Sequence, residues 1–150
     1  EKLILLAPGG VEERETYFQM PGILRMVGLF NAGPIGIEEM RSMMSLQLFD
    51  ASILPEDLLL ERVAVAVLQP KNLFSTMMVP NMESRLGEIT CPILGFWGSN
   101  DNFNPVRGAQ RIIDGAAKAR VIVLNQCGHW VQVEHRELFN RSCLEFLRFG

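Results

Sequence analysis

Three short apolar runs along the chain predict β-strands. The runs cover residues 2–7, 93–97 and 120–124. The first run ends sharply at the segment Pro8-Gly9-Gly10, which favours a strand over the start of a buried helix. A continuous apolar run of this length is typical of a parallel strand that is buried on both faces. Three strands make a narrow parallel sheet, and the chain starts directly on one of them. We therefore expect the C-terminal part of a larger domain.

The stretch between the first two strands, residues 11–80, has helical periodicity in pieces and no strand pattern. Helices are predicted over residues 22–30, 37–49, 55–68 and 73–78. Pro55, Glu56 and Asp57 suit a first helical turn, and Ser52 is a possible N-cap at an imperfect spacing. Because strands flank these helices on both sides, we interpret them as a lid. The alternative is a small independent helical bundle.

The remainder of the chain alternates strands with helices. The predicted helices cover residues 82–88, 106–118 and 134–149. This order predicts an α/β fold with parallel strands and right-handed crossovers. We therefore divide the chain into a core strand with the entry to the lid (residues 1–10), a helical lid (11–80) and a part of the core that carries the candidate acid and histidine (81–150).

Composition narrows the classes of function. Hydrophobic residues make up 48% of the chain, charged residues 21%, and the net charge is −3; these values are typical of a globular domain and argue against disorder. The mildly acidic balance argues against a nucleic-acid partner. No apolar run approaches the ~18 residues that span a bilayer. The cysteines are odd in number, lack metal-ligand spacing and suit a reduced cytoplasmic protein; they are Cys91, Cys127 and Cys143.

Two polar loops follow the second and third predicted strands. Asp101 lies in the loop at 98–105, and His129 lies in the loop at 125–133. Neighbouring parallel strands are less than about 5 Å apart, so the two side chains can meet at the carboxyl ends of the strands. A carboxylate that accepts from an imidazole fixes its tautomer and leaves the other nitrogen as a base. Taken singly, the aspartate also fits a turn residue, and the histidine fits a partly buried neighbour of Trp130.

Two motifs resemble the acid and histidine motifs of α/β-hydrolases. They are WGSNDNFNP at 97–105 and CGHWVQVEH at 127–135. More narrowly, they resemble the meta-cleavage product hydrolases, which cleave carbon–carbon bonds in 2-hydroxy-6-oxohexa-2,4-dienoates during bacterial breakdown of aromatics and steroids. Similar segments at 5–10, 85–89 and 139–141 extend the resemblance over the whole chain. It implies the C-terminal part of an α/β-hydrolase fold, with a helical lid and no metal or organic cofactor.

The resemblance also implies roles for individual residues. Asp101 would be the acid and His129 the base of a Ser-His-Asp triad. Arg62 matches a lid arginine that contacts the carboxylate and dienol end of the substrate, for which a planar guanidinium is suited. The alternative for Arg62 is a surface arginine paired with Glu61 or Asp57.

Three further residues are implied as substrate contacts. Trp130 would line the pocket beside the histidine, and Phe103 and Asn104 would face the group that is lost as a carboxylic acid. The polar Asn104 is more similar to the steroid-degrading branch of the family than to the biphenyl branch.

Two other features have a plain structural interpretation beside a functional one. His135 is predicted on a solvated face in the first turn of the last helix. The methionines of the lid could accommodate a bulky apolar substrate or simply form its core; they are Met20, Met26, Met40, Met43, Met44, Met77 and Met78.

The family's third triad member is a serine in a Gly-x-Ser-x-Gly turn. No serine of this chain has those flanking glycines. The resemblance places the serine and the oxyanion hole upstream, so we expect this segment alone to be inactive. Two alternatives remain: another α/β-hydrolase such as an esterase, or a catalytically dead binding protein. The resemblance also implies a homo-oligomer.

Overall fold

The computed structural model describes residues 1–70 and 78–149 of the chain. Its sheet has three parallel strands in the order β1-β2-β3. The strands are β1 (Leu3–Leu6), β2 (Ile93–Gly98) and β3 (Ala119–Leu124). All three predicted strands are therefore confirmed to within about two residues, and the α/β class with them. The predicted helix at 73–78 lies outside the described residues, apart from Met78.

Burial differs between the three strands. All residues of β2 are buried, whereas those of β1 are half-buried and those of β3 are half-buried or exposed. The expectation that the first strand is buried on both faces is therefore wrong for the described part of the chain. The physical reason is its position, because β1 lies at an edge of this sheet and β2 lies at its centre.

The described chain between β1 and β2 is helical. Its helices are α1 (Arg14–Phe18), α2 (Pro21–Ala32), α3 (Ile37–Ser45) and α4 (Glu56–Ala66). Pro55 is the N-cap residue of α4 rather than part of its first turn. Ser52 is not a cap of α4, since it lies in a 3₁₀ turn (Ala51–Ile53) where its N–H donates to the Asp50 carboxylate at 2.9 Å. That turn and α1 are too short to show helical periodicity in the sequence.

The helical segment has its own apolar cluster. The cluster contains Leu29, Ile35, Met40, Met44, Leu48, Leu54 and Leu59. Trp130 and Val133, from the far end of the chain, pack against it. Two of the methionines are thus core residues, while Met78 is exposed. The helices and the loop after β3 share one packed surface, which argues against an independent bundle.

Leu59 is the best-buried member of that cluster, with 0% of its surface exposed. We expect Leu59→Ala to lower the free energy of unfolding by about 2–5 kcal/mol, because it removes buried methyl groups and leaves a cavity. Its neighbour Leu60 is 55% exposed, and Leu60→Ala should change stability by less than about 0.5 kcal/mol. Denaturant unfolding of the two variants measures the difference. Equal losses would show that the face of α4 is assigned wrongly.

From residue 82 onward the chain alternates helices and strands as predicted, with one exception. The elements are a 3₁₀ helix before β2 (Glu83–Glu88), then α5 (Arg107–Gly115), α6 (Val131–Glu134) and α7 (Arg136–Phe149). The single last helix predicted from residue 134 is thus two helices, because the chain leaves helical geometry at His135. Within the described ranges, none of the helices has the length and apolarity to cross a membrane.

An ion-pair network around the buried Glu12 links the chain after β1 to α5. Glu12 is 5% exposed and pairs with Arg107 and Arg111, and Arg111 also contacts Glu83 at 2.6 Å. Burial raises the pKa of Glu12, but hydrogen bonds from Arg107 and the Glu13 N–H and the two arginine charges outweigh it, so the pKa lies below its usual range. The carboxylate is therefore ionised at neutral pH, and it anchors the helix that follows the Asp101 loop.

Candidate active site

The structure brings Asp101 and His129 together. Nδ1 of His129 lies 2.9 Å from Oδ2 of Asp101, whose side chain is fully buried. The other carboxylate oxygen accepts the backbone N–H groups of Phe103 at 2.7 Å and Asn104 at 3.0 Å. The carboxylate is therefore fixed by three partners, and the imidazole presents Nε2 as its remaining basic nitrogen.

Backbone contacts hold the two loops against each other. We call residues 99–105 the acid loop and residues 125–130 the histidine loop. The N–H of Asn100 donates to the carbonyl of Cys127 at 3.0 Å. A Cβ at Gly98 would lie 2.0 Å from the Gly128 carbonyl oxygen. Since no side chain fits there, glycine at the end of β2 is a condition for the approach of the two loops.

A short part of the helical segment contacts both loops. This connector, residues 46–50, joins α3 to the 3₁₀ turn. The carbonyl of Gln47 accepts the N–H groups of His129 at 2.7 Å and of Trp130 at 3.1 Å. The carbonyl of Leu46 accepts the side-chain amide of Asn102 at 3.3 Å. The helical segment is thus hydrogen-bonded directly to the backbone of the candidate base.

Arg62 also reaches the histidine loop. Its guanidinium lies 5.2 Å from the ring centre of Trp130, at cation–π distance. Among the described residues, neither Glu61 nor Asp57 forms an ion pair with it. The local surface pairing considered from the sequence is therefore not what the structure shows, and the guanidinium lies over the ring of Trp130, the residue that follows His129.

Phe103 and Asn104 are both buried, but they have different surroundings. The Phe103 ring lies 5.2 Å from the His129 ring. The side-chain NH₂ of Asn104 donates to the backbone carbonyl of Ala7 at 2.8 Å, and the backbone carbonyl of Asn104 accepts the indole N–H of Trp97 at 3.0 Å. Asn104 thus ties the acid loop to the residue that follows β1.

Two other side chains of this region have surroundings that the sequence did not predict. Burial, reinforced by the charges of Glu134 and Asp101, raises the pKa of the Cys127 thiol to about 12, so it is a neutral thiol at physiological pH and no nucleophile. The expectation of a solvated His135 is wrong. Its Nε2 is buried and has no hydrogen-bond partner within the described ranges, because the residue lies at the junction of α6 and α7.

The sequence of the chain was compared with those of known proteins. No family model matches the chain. The chain is 36% identical to a 2-hydroxy-6-oxononadienedioate/2-hydroxy-6-oxononatrienedioate hydrolase of Cupriavidus pinatubonensis, covering 97% of this chain and 53% of the relative. It is 34% identical to a 2-hydroxy-6-oxo-6-phenylhexa-2,4-dienoate hydrolase of Burkholderia cepacia, covering 99% of this chain and 54% of the relative. The chain therefore spans about half the length of these relatives.

The solved structure of a 2-hydroxy-6-oxo-6-phenylhexa-2,4-dienoate hydrolase from a Rhodococcus species has the same fold, with a TM-score of 0.80 at 22% identity over 99% of this chain and 55% of that one. The fold is that of the C-terminal part of an α/β-hydrolase. Within that class, the chain is similar over almost all of its own length to meta-cleavage product hydrolases.

Proposed function

We propose that the protein containing this chain hydrolyses a carbon–carbon bond in 2-hydroxy-6-oxo-2,4-dienoates. Asp101 and His129 would act with a serine that lies upstream of residue 1. The observation that carries the proposal is the buried Asp101–His129 pair at 2.9 Å, in a chain whose relatives bear the names of such hydrolases.

His129 would carry out the proton transfers. Its Nε2 accepts the proton of the 2-hydroxyl group, and a proton is delivered to C5, which converts the dienol into a 2,6-diketone. The serine, or water activated through it, then adds to the C6 carbonyl. Cleavage of the C5–C6 bond returns its electron pair through C4 and C3 to the C2 oxygen. The products are 2-hydroxypenta-2,4-dienoate and a carboxylic acid, with one water consumed.

Asp101 would support these transfers without accepting a proton itself. Its carboxylate is buried and accepts two backbone N–H groups as well as the imidazole. It therefore holds the tautomer with the hydrogen on Nδ1 and stabilises the imidazolium that forms when Nε2 is protonated.

The helical segment would serve as a lid, and its residues would bind the anionic end of the substrate. The lid assignment is supported by the hydrogen bonds between the connector and the histidine loop. Arg62 would face the substrate carboxylate, with Trp130 beneath it. Phe103 and Asn104 would lie along the part of the substrate that leaves as the acid.

Arg62→Ala should lower kcat/KM for a dienoate by about 10–100-fold, mainly through a higher KM, because a charge-assisted contact to the carboxylate is lost. The matched control is Arg148→Ala, which removes an exposed arginine in the last turn of α7. Steady-state kinetics of the two variants measure the effect. An unchanged kcat/KM for Arg62→Ala would remove this residue from the site.

Specificity measurements on the full-length protein test the proposal against its alternatives. We expect kcat/KM for a 2-hydroxy-6-oxo-2,4-dienoate to exceed that for a simple ester by orders of magnitude. The reverse ratio would identify an esterase that uses the same pair. Reaction with a serine-directed phosphonate distinguishes both enzymes from a catalytically dead binding protein, which would show neither turnover nor labelling.

A further inference from the structure

Glu134 lies between the connector and the histidine loop and contacts both. Its Oε1 accepts the backbone N–H of Phe49 at 2.6 Å and that of Asp50 at 3.4 Å. Its Oε2 accepts the backbone N–H of Gly128 at 2.6 Å. One carboxylate therefore joins Phe49 and Gly128, which are 79 positions apart along the chain.

Both oxygens are needed for this bridge. The groups facing the carboxylate on either side are donors, and an ionised carboxylate is an acceptor only. Hydrogen bonds from neutral donors to a charged acceptor are stronger than those between neutral groups. A glutamine has one acceptor oxygen, so it can serve either the connector or the histidine loop, while its NH₂ would face a donor on the other side.

The bridge acts on His129 by two routes. Gly128, which precedes the histidine, is held directly by Glu134. The connector, held by the same carboxylate at Phe49, places the Gln47 carbonyl that accepts the His129 N–H at 2.7 Å. The connector packs tightly against the histidine loop here, since a Cβ at Gly128 would lie 2.6 Å from the Gln47 carbonyl oxygen.

We propose that Glu134 is a positioning residue for the reaction. It clamps the connector to the histidine loop and so keeps the imidazole of His129 aligned with Asp101 and the reacting atoms. The inference rests on the proposed function for its effect on turnover, whereas the clamp itself is a property of the fold. A misplacement of a catalytic group by about 1 Å can cost on the order of a hundredfold in rate.

The test compares Glu134→Gln with Glu137→Gln in the full-length protein. Glu137 is exposed at the start of α7, so its variant makes the same charge change without touching the clamp. For Glu134→Gln we expect kcat for a dienoate to fall by about 10–100-fold with KM within about twofold, and Tm to stay within a few degrees of the control. Hydrogen exchange at the amides of Phe49, Gly128 and His129 should accelerate at least tenfold.

The outcomes separate this inference from the proposed function. Faster exchange at the His129 amide with an unchanged kcat would overturn the positioning role, as would equal losses of kcat in both variants. If the wild type cleaves no dienoate, the proposed function fails, and exchange at His129 in Glu134→Gln still decides whether the clamp holds that residue. If Glu134→Gln does not fold, hydrogen exchange in the wild type tests the clamp. Phe49 is an exposed residue, so its amide should exchange slowly only if it is hydrogen-bonded to Glu134.

Discussion

Replacing His129 by alanine is expected to lower kcat of the full-length protein for a dienoate by roughly a thousandfold or more, because the variant has no base at the position of Nε2. The fold should survive, since the His129 side chain is 22% exposed and its backbone N–H remains bonded to Gln47. Stopped-flow measurement of a single turnover would show that the conjugated dienol persists in the variant.

The control for this prediction is His135→Ala. His135 is the other histidine of the chain, and its buried Nε2 has no partner in the part of the chain that the structure describes. Its replacement should leave kcat within a few-fold of the wild type. If His129→Ala retained turnover within a few-fold, His129 would not be the base.

Asp101→Asn should have the second largest effect, a loss of kcat of about 10⁴-fold at neutral pH. The amide has the same shape, and its oxygen can still accept the N–H groups of Phe103 and Asn104. Its NH₂ group would then face Nδ1 of His129 and force the hydrogen onto Nε2, which removes the base.

Asp114→Asn is the matched control, because Asp114 is exposed on α5 and its carboxylate accepts a hydrogen bond from the side-chain amide of Gln110. Kinetics and thermal unfolding should be measured together for both variants. We expect Asp101→Asn to lose rate with little loss of Tm. A variant that unfolds while its folded fraction keeps the normal kcat would show that Asp101 is structural only.

The contact between Asp101 and His129 could be predicted from the sequence because it depends on the order of strands and loops along the chain. Each residue follows a strand with a clear apolar pattern, and neighbouring parallel strands deliver their following loops to one edge. The pair is then a consequence of the β2–β3 register, in which Gly98 lies opposite Leu124. The split at His135 could not be predicted in this way, since a helical pattern runs through it.

The contacts of the helical segment were beyond sequence reasoning for a different reason. Glu134 stands within a motif that resembles the family, but its partners at Phe49 and Asp50 lie far away along the chain and donate through the backbone, which has no sequence signature. The approach of Arg62 to Trp130 likewise depends on how α4 packs against the histidine loop. The nearby acidic residues in the sequence suggested an ion pair of Arg62 on the surface as one alternative, whereas tertiary packing places its guanidinium over Trp130.

We propose that the protein containing this chain breaks a carbon–carbon bond. Product analysis after incubating the full-length protein with 2-hydroxy-6-oxononadienedioate tests it most directly. The proposed reaction predicts 2-hydroxypenta-2,4-dienoate and succinate in equal amounts, with His129→Ala producing neither. A dienoate that stays intact while the same preparation hydrolyses a simple ester would contradict carbon–carbon bond cleavage.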